Sequence, residues 1–273
     1  MYLEFWGLKE KPFENTPDPR FFYATPRHEE ALTRMLYAVS EQKGAAMLSG
    51  EYGSGKTLLT RIVTNQLLGE NDRYKIAIII NPNIPADELL EEILYQLGKS
   101  VAPGARRKSE CIRQLNAALY ENANAGSHTV IIIDEAQAIK DESTFEELRL
   151  LLNFQLNNRF LLTLLLFGQP ELREKIGNVK QLEQRLAVRF HLSHLTEEET
   201  RNYVRYRCKV AGAEKELFSD EAHRMIYRGS EGIPRVINNI CDMALVAGMG
   251  GSDPVSGPII QNVVKDLCGI EVK

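Results

Sequence analysis

From residue 45 onward, short apolar runs alternate with stretches whose apolar residues recur at helical spacing. That alternation is the signature of a mostly parallel sheet covered by helices on both faces. The runs predict strands at 45–48, 75–80, 129–133, 161–167 and 188–192. Helices are predicted at 57–68, 87–97, 110–122 and 143–153, the crossovers that parallel strands need. Ahead of them Leu32, Met35, Leu36 and Val39 give 28–40 a helical stripe, in which His28 reads as a helix-start residue rather than a ligand. After Leu195 the strands cease and capping chemistry predicts helices. Thr196 and Glu199 form a capping box for one that runs to Gly212, Ser219 caps a second, and Pro234 and Pro258 open a third and a fourth.

The pattern therefore predicts an α/β core over 1–195 and an all-helical module over 196–273. Residues 1–27 stand apart within the core, with Phe5, Trp6, Phe13, Phe21, Phe22 and Tyr23 set among Pro12, Pro17, Pro19 and Pro26. The prolines exclude a long helix, and so many aromatics imply an extended arm packed on the body.

Composition adds exclusions. With 44% apolar and 26% charged residues among 273, the chain is an ordinary globular one with a sizeable core. Its 33 basic and 37 acidic residues leave a net charge of -4, so no global basic field exists to hold nucleic acid. Two local clusters remain, Arg106-Arg107-Lys108 and Arg201, Arg205, Arg207 and Lys209, and the bland reading of each is a solvated face. Apolar runs fall far short of the ~20 residues that span a bilayer. The opening MYLEFWGLKEKPF has no basic segment leading into an apolar one, so no secretory signal is expected and the location is expected to be cytoplasmic. Cys111, Cys208, Cys241 and Cys268 include no CxxC pair, which favours reduced, buried thiols over a zinc site or disulfides.

The strongest chemical signal is Gly50-Glu51-Tyr52-Gly53-Ser54-Gly55-Lys56-Thr57, a GxxxxGK[ST] loop between a predicted strand and a predicted helix. Its glycines let backbone N–H groups face phosphates, Lys56 reaches the β- and γ-phosphates, and Thr57 ligates Mg²⁺. With Leu58, these residues form the expected nucleotide-binding set of a P-loop NTPase. Downstream, 130–133 is an apolar strand ending in Asp134 and Glu135. Asp134 suits the Mg²⁺ shell and Glu135 a base that polarises the attacking water. Gln169 follows the next run, where it either orients that water or caps the helix after Pro170. Arg185 and Arg189 flank the start of the last strand, and a positioned arginine donated across a subunit boundary is worth ~10³–10⁵ in rate. Arg235, in Gly232-Ile233-Pro234-Arg235, sits where the helix dipole disfavours a cation, which hints at another purpose.

These parts together resemble the AAA+ ATPases, which combine a glycine loop, an Asp-Glu strand end, a polar sensor, a trans-acting arginine and a GxPR arginine in a helical lid. The resemblance implies a parallel sheet sandwiched by helices with a C-terminal helical lid, ATP and Mg²⁺ as ligands, and a homo-oligomeric ring. It makes Gln169 the first sensor, Arg185 the arginine finger with Arg189 as competitor, and Arg235 the second sensor. Phe5-Trp6-Gly7-Leu8, Lys11-Pro12-Phe13, Thr16-Pro17-Asp18-Pro19-Arg20-Phe21-Phe22-Tyr23 and Gly168-Gln169-Pro170-Glu171-Leu172 are further similar to the general secretion pathway component A family of cytosolic ATPase domains. That similarity implies an assembly motor of type II secretion, pilus or secretin-related envelope biogenesis with a membrane partner. It also leaves open whether the chain is part of a longer inner-membrane protein. The competing expectations are a DNA-dependent regulator of the transposition target-selection type and a switch that holds ATP without turnover.

Overall fold

Aliphatic runs become strands here because a strand buried on both faces has no polar positions with which to alternate. The computed structural model describes residues 2–99, 108–251 and 253–269, so Arg106 and Arg107 lie outside the described residues. In chain order it contains α1 (Tyr2–Trp6), a 3-10 turn (Pro19–Phe21), α2 (Pro26–Ser40), β1 (Ala45–Gly50), α3 (Lys56–Leu68), β2 (Tyr74–Ile79), α4 (Ala86–Gln96) and α5 (Lys108–Asn124). Then come β3 (His128–Ile133), α6 (Glu142–Leu151), β4 (Leu162–Gly168), α7 (Glu171–Asn178), α8 (Lys180–Glu183) and β5 (Leu186–Leu192). The last four helices are α9 (Glu197–Val210), α10 (Asp220–Ser230), α11 (Pro234–Ala247) and α12 (Gly257–Cys268).

Two units emerge, Pro26–Glu51 with Leu59–Leu192, and Met1–Thr25 with Tyr52–Leu58 and Ser193–Lys273. The first holds a five-stranded parallel sheet in the order β2-β3-β4-β1-β5. The central strands β1, β3 and β4 are buried throughout, whereas edge strand β5 alternates buried and exposed positions. Side chains alternate across a sheet. Ala45, Met47, Ile131, Ile133, Leu164 and Leu166 share one core cluster with α4, α5, α6 and α7. Ala46, Leu48, Val130, Ile132, Leu165 and Phe167, also fully buried, occupy the alternate positions. On β1, β4 and β5 the packing partner α2 supplies cover as well. The α/β class is thus the observed one.

The second unit is helical and includes the arm. Its α9 carries the predicted capping box, with Glu199 N–H donating to Thr196 Oγ1 at 3.2 Å and Thr196 N–H to Glu199 Oε2 at 2.9 Å. Ser219 caps α10 and Pro234 occupies the first turn of α11. Gly232, between those two helices, has φ of +74°, and a Cβ there would lie 1.9 Å from the Leu195 carbonyl oxygen. Only glycine fits that approach.

The sequence placed residues 1–27 with the core, and the structure instead gathers Met1–Thr25 with the helices. Composition says that aromatics must be covered but not by what. Here Trp6 donates from Nε1 to the Leu245 carbonyl at 2.8 Å, Tyr2 donates to Asp242 Oδ1 at 2.7 Å, and Phe13 stacks edge-on against Phe218. The arm is also not wholly extended, since α1 and the 3-10 turn lie in it. Arg207 ties it down from α9. Its guanidinium donates to the carbonyls of Pro12 at 2.5 Å and Glu14 at 2.8 Å and to Tyr203 Oη at 2.7 Å, and lies 5.0 Å from the Phe21 ring centroid. Of the basic cluster on this helix, Arg207 is therefore buried rather than solvated. Arg201 and Arg205 pair with Asp220, and Arg205 also with Glu216. Cys111, Cys208 and Cys241 are free and buried, and burial raises their thiol pKa values.

Candidate active site

All five strands point the same way, so their C-terminal ends share one edge, where ligands of open α/β sheets bind. Register sets Ser49 beside Gly168 and Ile133 beside Leu166. Gly50 and Glu51, Asp134 and Glu135, and Gln169 therefore stand at the ends of adjacent strands in the order β3-β4-β1.

β1 runs into Tyr52-Gly53-Ser54-Gly55, and α3 begins at Lys56 with Thr57 and Leu58 in its first turn. Gly53 and Gly55 hold φ of 77° and 93°, a region that side chains rarely adopt. A Cβ on Gly53 would also stand 2.9 Å from the Cβ of Arg235. Ser54 Oγ is buried without a hydrogen-bond partner, and Lys56 is only 5% exposed. A buried hydroxyl with no partner, in a glycine turn that opens a 13-residue helix, fits phosphate oxygens, which would satisfy it. Thr57, whose hydroxyl is on an exposed residue of one unit, and Asp134, a carboxylate of the other, each carry hard oxygen of the kind Mg²⁺ takes. Among the described residues, no cluster of three or more His, Cys, Asp or Glu offers another metal site.

Asp134 is 3% exposed, and its Oδ1 accepts the N–H of Glu135 at 3.0 Å. Glu135 adopts the left-handed conformation, φ 50° and ψ 37°, at the head of a 3-10 turn, Ala136–Ala138. A non-glycine residue in that region is uncommon. Gln137 Nε2 donates to Glu135 Oε2 at 2.5 Å, and Gln137 Oε1 accepts the Gln169 N–H at 3.0 Å. Gln169 Nε2 lies 3.5 Å from the same Glu135 oxygen. Lys175 Nζ donates to the carbonyls of Gln137 and Ile139, each at 2.6 Å. The structure thus brings the Gln169 carboxamide beside Glu135.

The arginines separate. Arg185 is half-buried and donates to Asn153 Oδ1 at 2.7 Å and to the Arg149 carbonyl at 3.4 Å. Arg189 is exposed and paired with Glu183, at 2.8 Å to the carboxylate and 2.6 Å to the carbonyl. Arg235 lies over the Tyr52 ring, 5.0 Å from its centroid, and donates to the Tyr52 hydroxyl. The GxPR arginine therefore touches the phosphate loop itself.

Three features had no sequence signal. Gln137 lies two residues from Glu135, a spacing at which side chains on a helix do not face each other, and only the left-handed turn joins them. Lys175 and the Tyr52–Arg235 contact likewise depend on tertiary structure.

The AAA domain family matches residues 39–176. The chain belongs to that family, and so to the AAA+ ATPases. It is 37% identical over 275 residues to general secretion pathway protein A of Aeromonas hydrophila, which spans 99% of this chain. The chain covers 49% of that relative, about half its length. Cdc6p from Pyrobaculum aerophilum superposes with a TM-score of 0.70 at 15% identity, over 94% of this chain and 70% of that one. The ORC2 protein of Aeropyrum pernix gives 0.67 at 17%, over 97% and 73%. At such identities these two speak for the fold alone. No helix among the described residues is long and apolar enough to cross a membrane.

Proposed function

We propose that the chain hydrolyses ATP to ADP and phosphate in a Mg²⁺-dependent reaction and works as an assembly motor. The setting is type II secretion, pilus or secretin-related envelope biogenesis, acting from the cytoplasm as a nucleotide-dependent homo-oligomeric ring on a membrane or envelope partner. Identity of 37% to general secretion pathway protein A along nearly the whole chain supports the pathway. The observation that carries hydrolysis is Glu135, an acid held in a strained turn and fixed through Oε2 by Gln137. A pure switch has no need of such a group.

In this mechanism the backbone from Gly50 to Leu58 cradles the phosphates, and Lys56 neutralises the β- and γ-oxygens. Thr57 and Asp134 would hold Mg²⁺, which would supply positive charge against the charge that develops on the phosphates. Glu135 takes the proton of the attacking water, oriented by Gln169. Arg235 acts as second sensor by leaving Tyr52 for the γ-phosphate. Arg185, or Arg189 in its place, is the finger offered to a neighbouring subunit's nucleotide. The DNA-dependent reading is weakened because Arg207 is committed to the arm and Arg201 and Arg205 to acidic partners.

Steady-state ATP hydrolysis measured against protein concentration, with and without duplex DNA, tests the proposal with Lys56→Ala as the blank. A rate per subunit that rises with concentration, ignores DNA and is lost in Lys56→Ala and Arg185→Ala is expected. Strong stimulation by DNA, declining steeply with salt, would instead establish the regulator.

A further inference from the structure

Gln137 belongs to none of the motifs on which the site reading was built, yet its carboxamide is engaged at both ends, by Glu135 and by Gln169. We propose that Gln137 is the positioning residue of the hydrolytic carboxylate, tying Glu135 to the end of β4 so that a displacement of Gln169 is carried to the base. The inference rests on Glu135 being that base.

The polarity of the amide leaves one arrangement. The Gln169 N–H requires an acceptor, so Oε1 must face it, and Nε2 is then the atom turned to Glu135. A flipped amide would set oxygen against a carboxylate and N–H against N–H. The local backbone is built around this clamp. Glu135 is held at φ 50°, which is unfavourable for a residue with a side chain and persists where surrounding structure enforces it. Lys175 closes the turn by binding the carbonyls of Gln137 and Ile139.

A second observation, independent of the hydrogen bonds, lies on the partner strand. A Cβ added to Gly168, the last residue of β4, would stand 2.8 Å from Gln137 Oε1 and 2.8 Å from Leu172 Cδ2. The strand ends without a side chain where the carboxamide passes. Chemically, Gln137 occupies Oε2 of Glu135, with Gln169 Nε2 at the limit of bonding distance to the same atom. Oε1 is thereby the oxygen left to take a proton from water. Without Gln137 the carboxylate regains its rotamers, and only a fraction of them presents that oxygen correctly.

ATPase kinetics of the full chain test this with Gln137→Ala and the nearly isosteric Gln137→Glu, which keeps the shape but offers an acceptor where Glu135 needs a donor. For both, kcat falls roughly 10- to 100-fold, less than the ~10²–10⁴ lost with a base itself, while KM and ATP affinity stay at wild-type values. Added to Glu135→Gln, Gln137→Ala costs nothing further in single-turnover rate, because groups that act as a unit are not additive. Wild-type kcat in either variant, a parallel rise in KM, or a further loss in the double variant would overturn the inference while leaving Glu135 in place. Wild-type turnover by Glu135→Gln alone would instead remove the base reading on which it rests.

Discussion

His128 makes the stability of the sheet unit depend on pH. The residue starts β3, is 5% exposed, and shares a 2.9 Å hydrogen bond between Nε2 and Thr163 Oγ1. Thr163 spends its own proton on the Lys43 carbonyl at 2.7 Å, so the imidazole must be the donor at Nε2. Burial, helped by the charge of Arg159, lowers its pKa from 6.5 to about 4. The unfolded chain therefore binds a proton near pH 6.5 that the folded chain refuses until about pH 4. The stabilisation is present in full above the unfolded value and is lost as pH falls through that window. A difference of that size is worth about 3 kcal/mol in all, of which about 2 kcal/mol disappears between pH 7 and pH 5. Urea denaturation of wild type and His128→Gln across that range, followed by circular dichroism, isolates the contribution because the carboxylates are common to both. Wild type should lose about 2 kcal/mol more than the variant over that interval. Parallel curves would refute the reasoning.

Two substitutions probe the helical unit. Arg207→Ala leaves the carbonyls of Pro12 and Glu14 without their charged donor and should cost roughly 2–4 kcal/mol, seen as a lower urea midpoint and as faster proteolysis within residues 1–25. Lysine should not rescue it, since a single ammonium cannot serve three acceptors in the geometry of a guanidinium. Gly232→Ala drives a methyl into the Leu195 carbonyl and should lower stability by more than the ~1 kcal/mol of an ordinary glycine replacement, measured by thermal unfolding.

The central strands were legible because their runs are almost wholly apolar, and β1, β3 and β4 are buried at every position. At the edge the signal weakens. β5 starts at Leu186, two residues before the predicted start at 188, and its buried positions alternate with the exposed Ala187 and Arg189 and the half-buried His191, so that no continuous apolar run marks its bounds. Capping pairs such as Thr196 with Glu199 are local in sequence and were readable for that reason. The allegiance of the arm was not, since the acceptors of Arg207 lie nearly 200 residues away along the chain. At the site, the residue types and spacing of the phosphate loop and the Asp134-Glu135 pair carry their own chemistry. Gln137 carries none by spacing, and its role appears only once the left-handed backbone at Glu135 turns the two side chains toward each other.

Binding and turnover measured together on Glu135→Gln test the hydrolytic site most directly. The variant should keep wild-type affinity for ATP by calorimetry, because the phosphate loop is untouched. Its hydrolysis rate should fall by ~10²–10⁴, the contribution of a general base. Turnover within a few-fold of wild type, at equal affinity, would contradict the assignment of Glu135 and require another residue to activate the water.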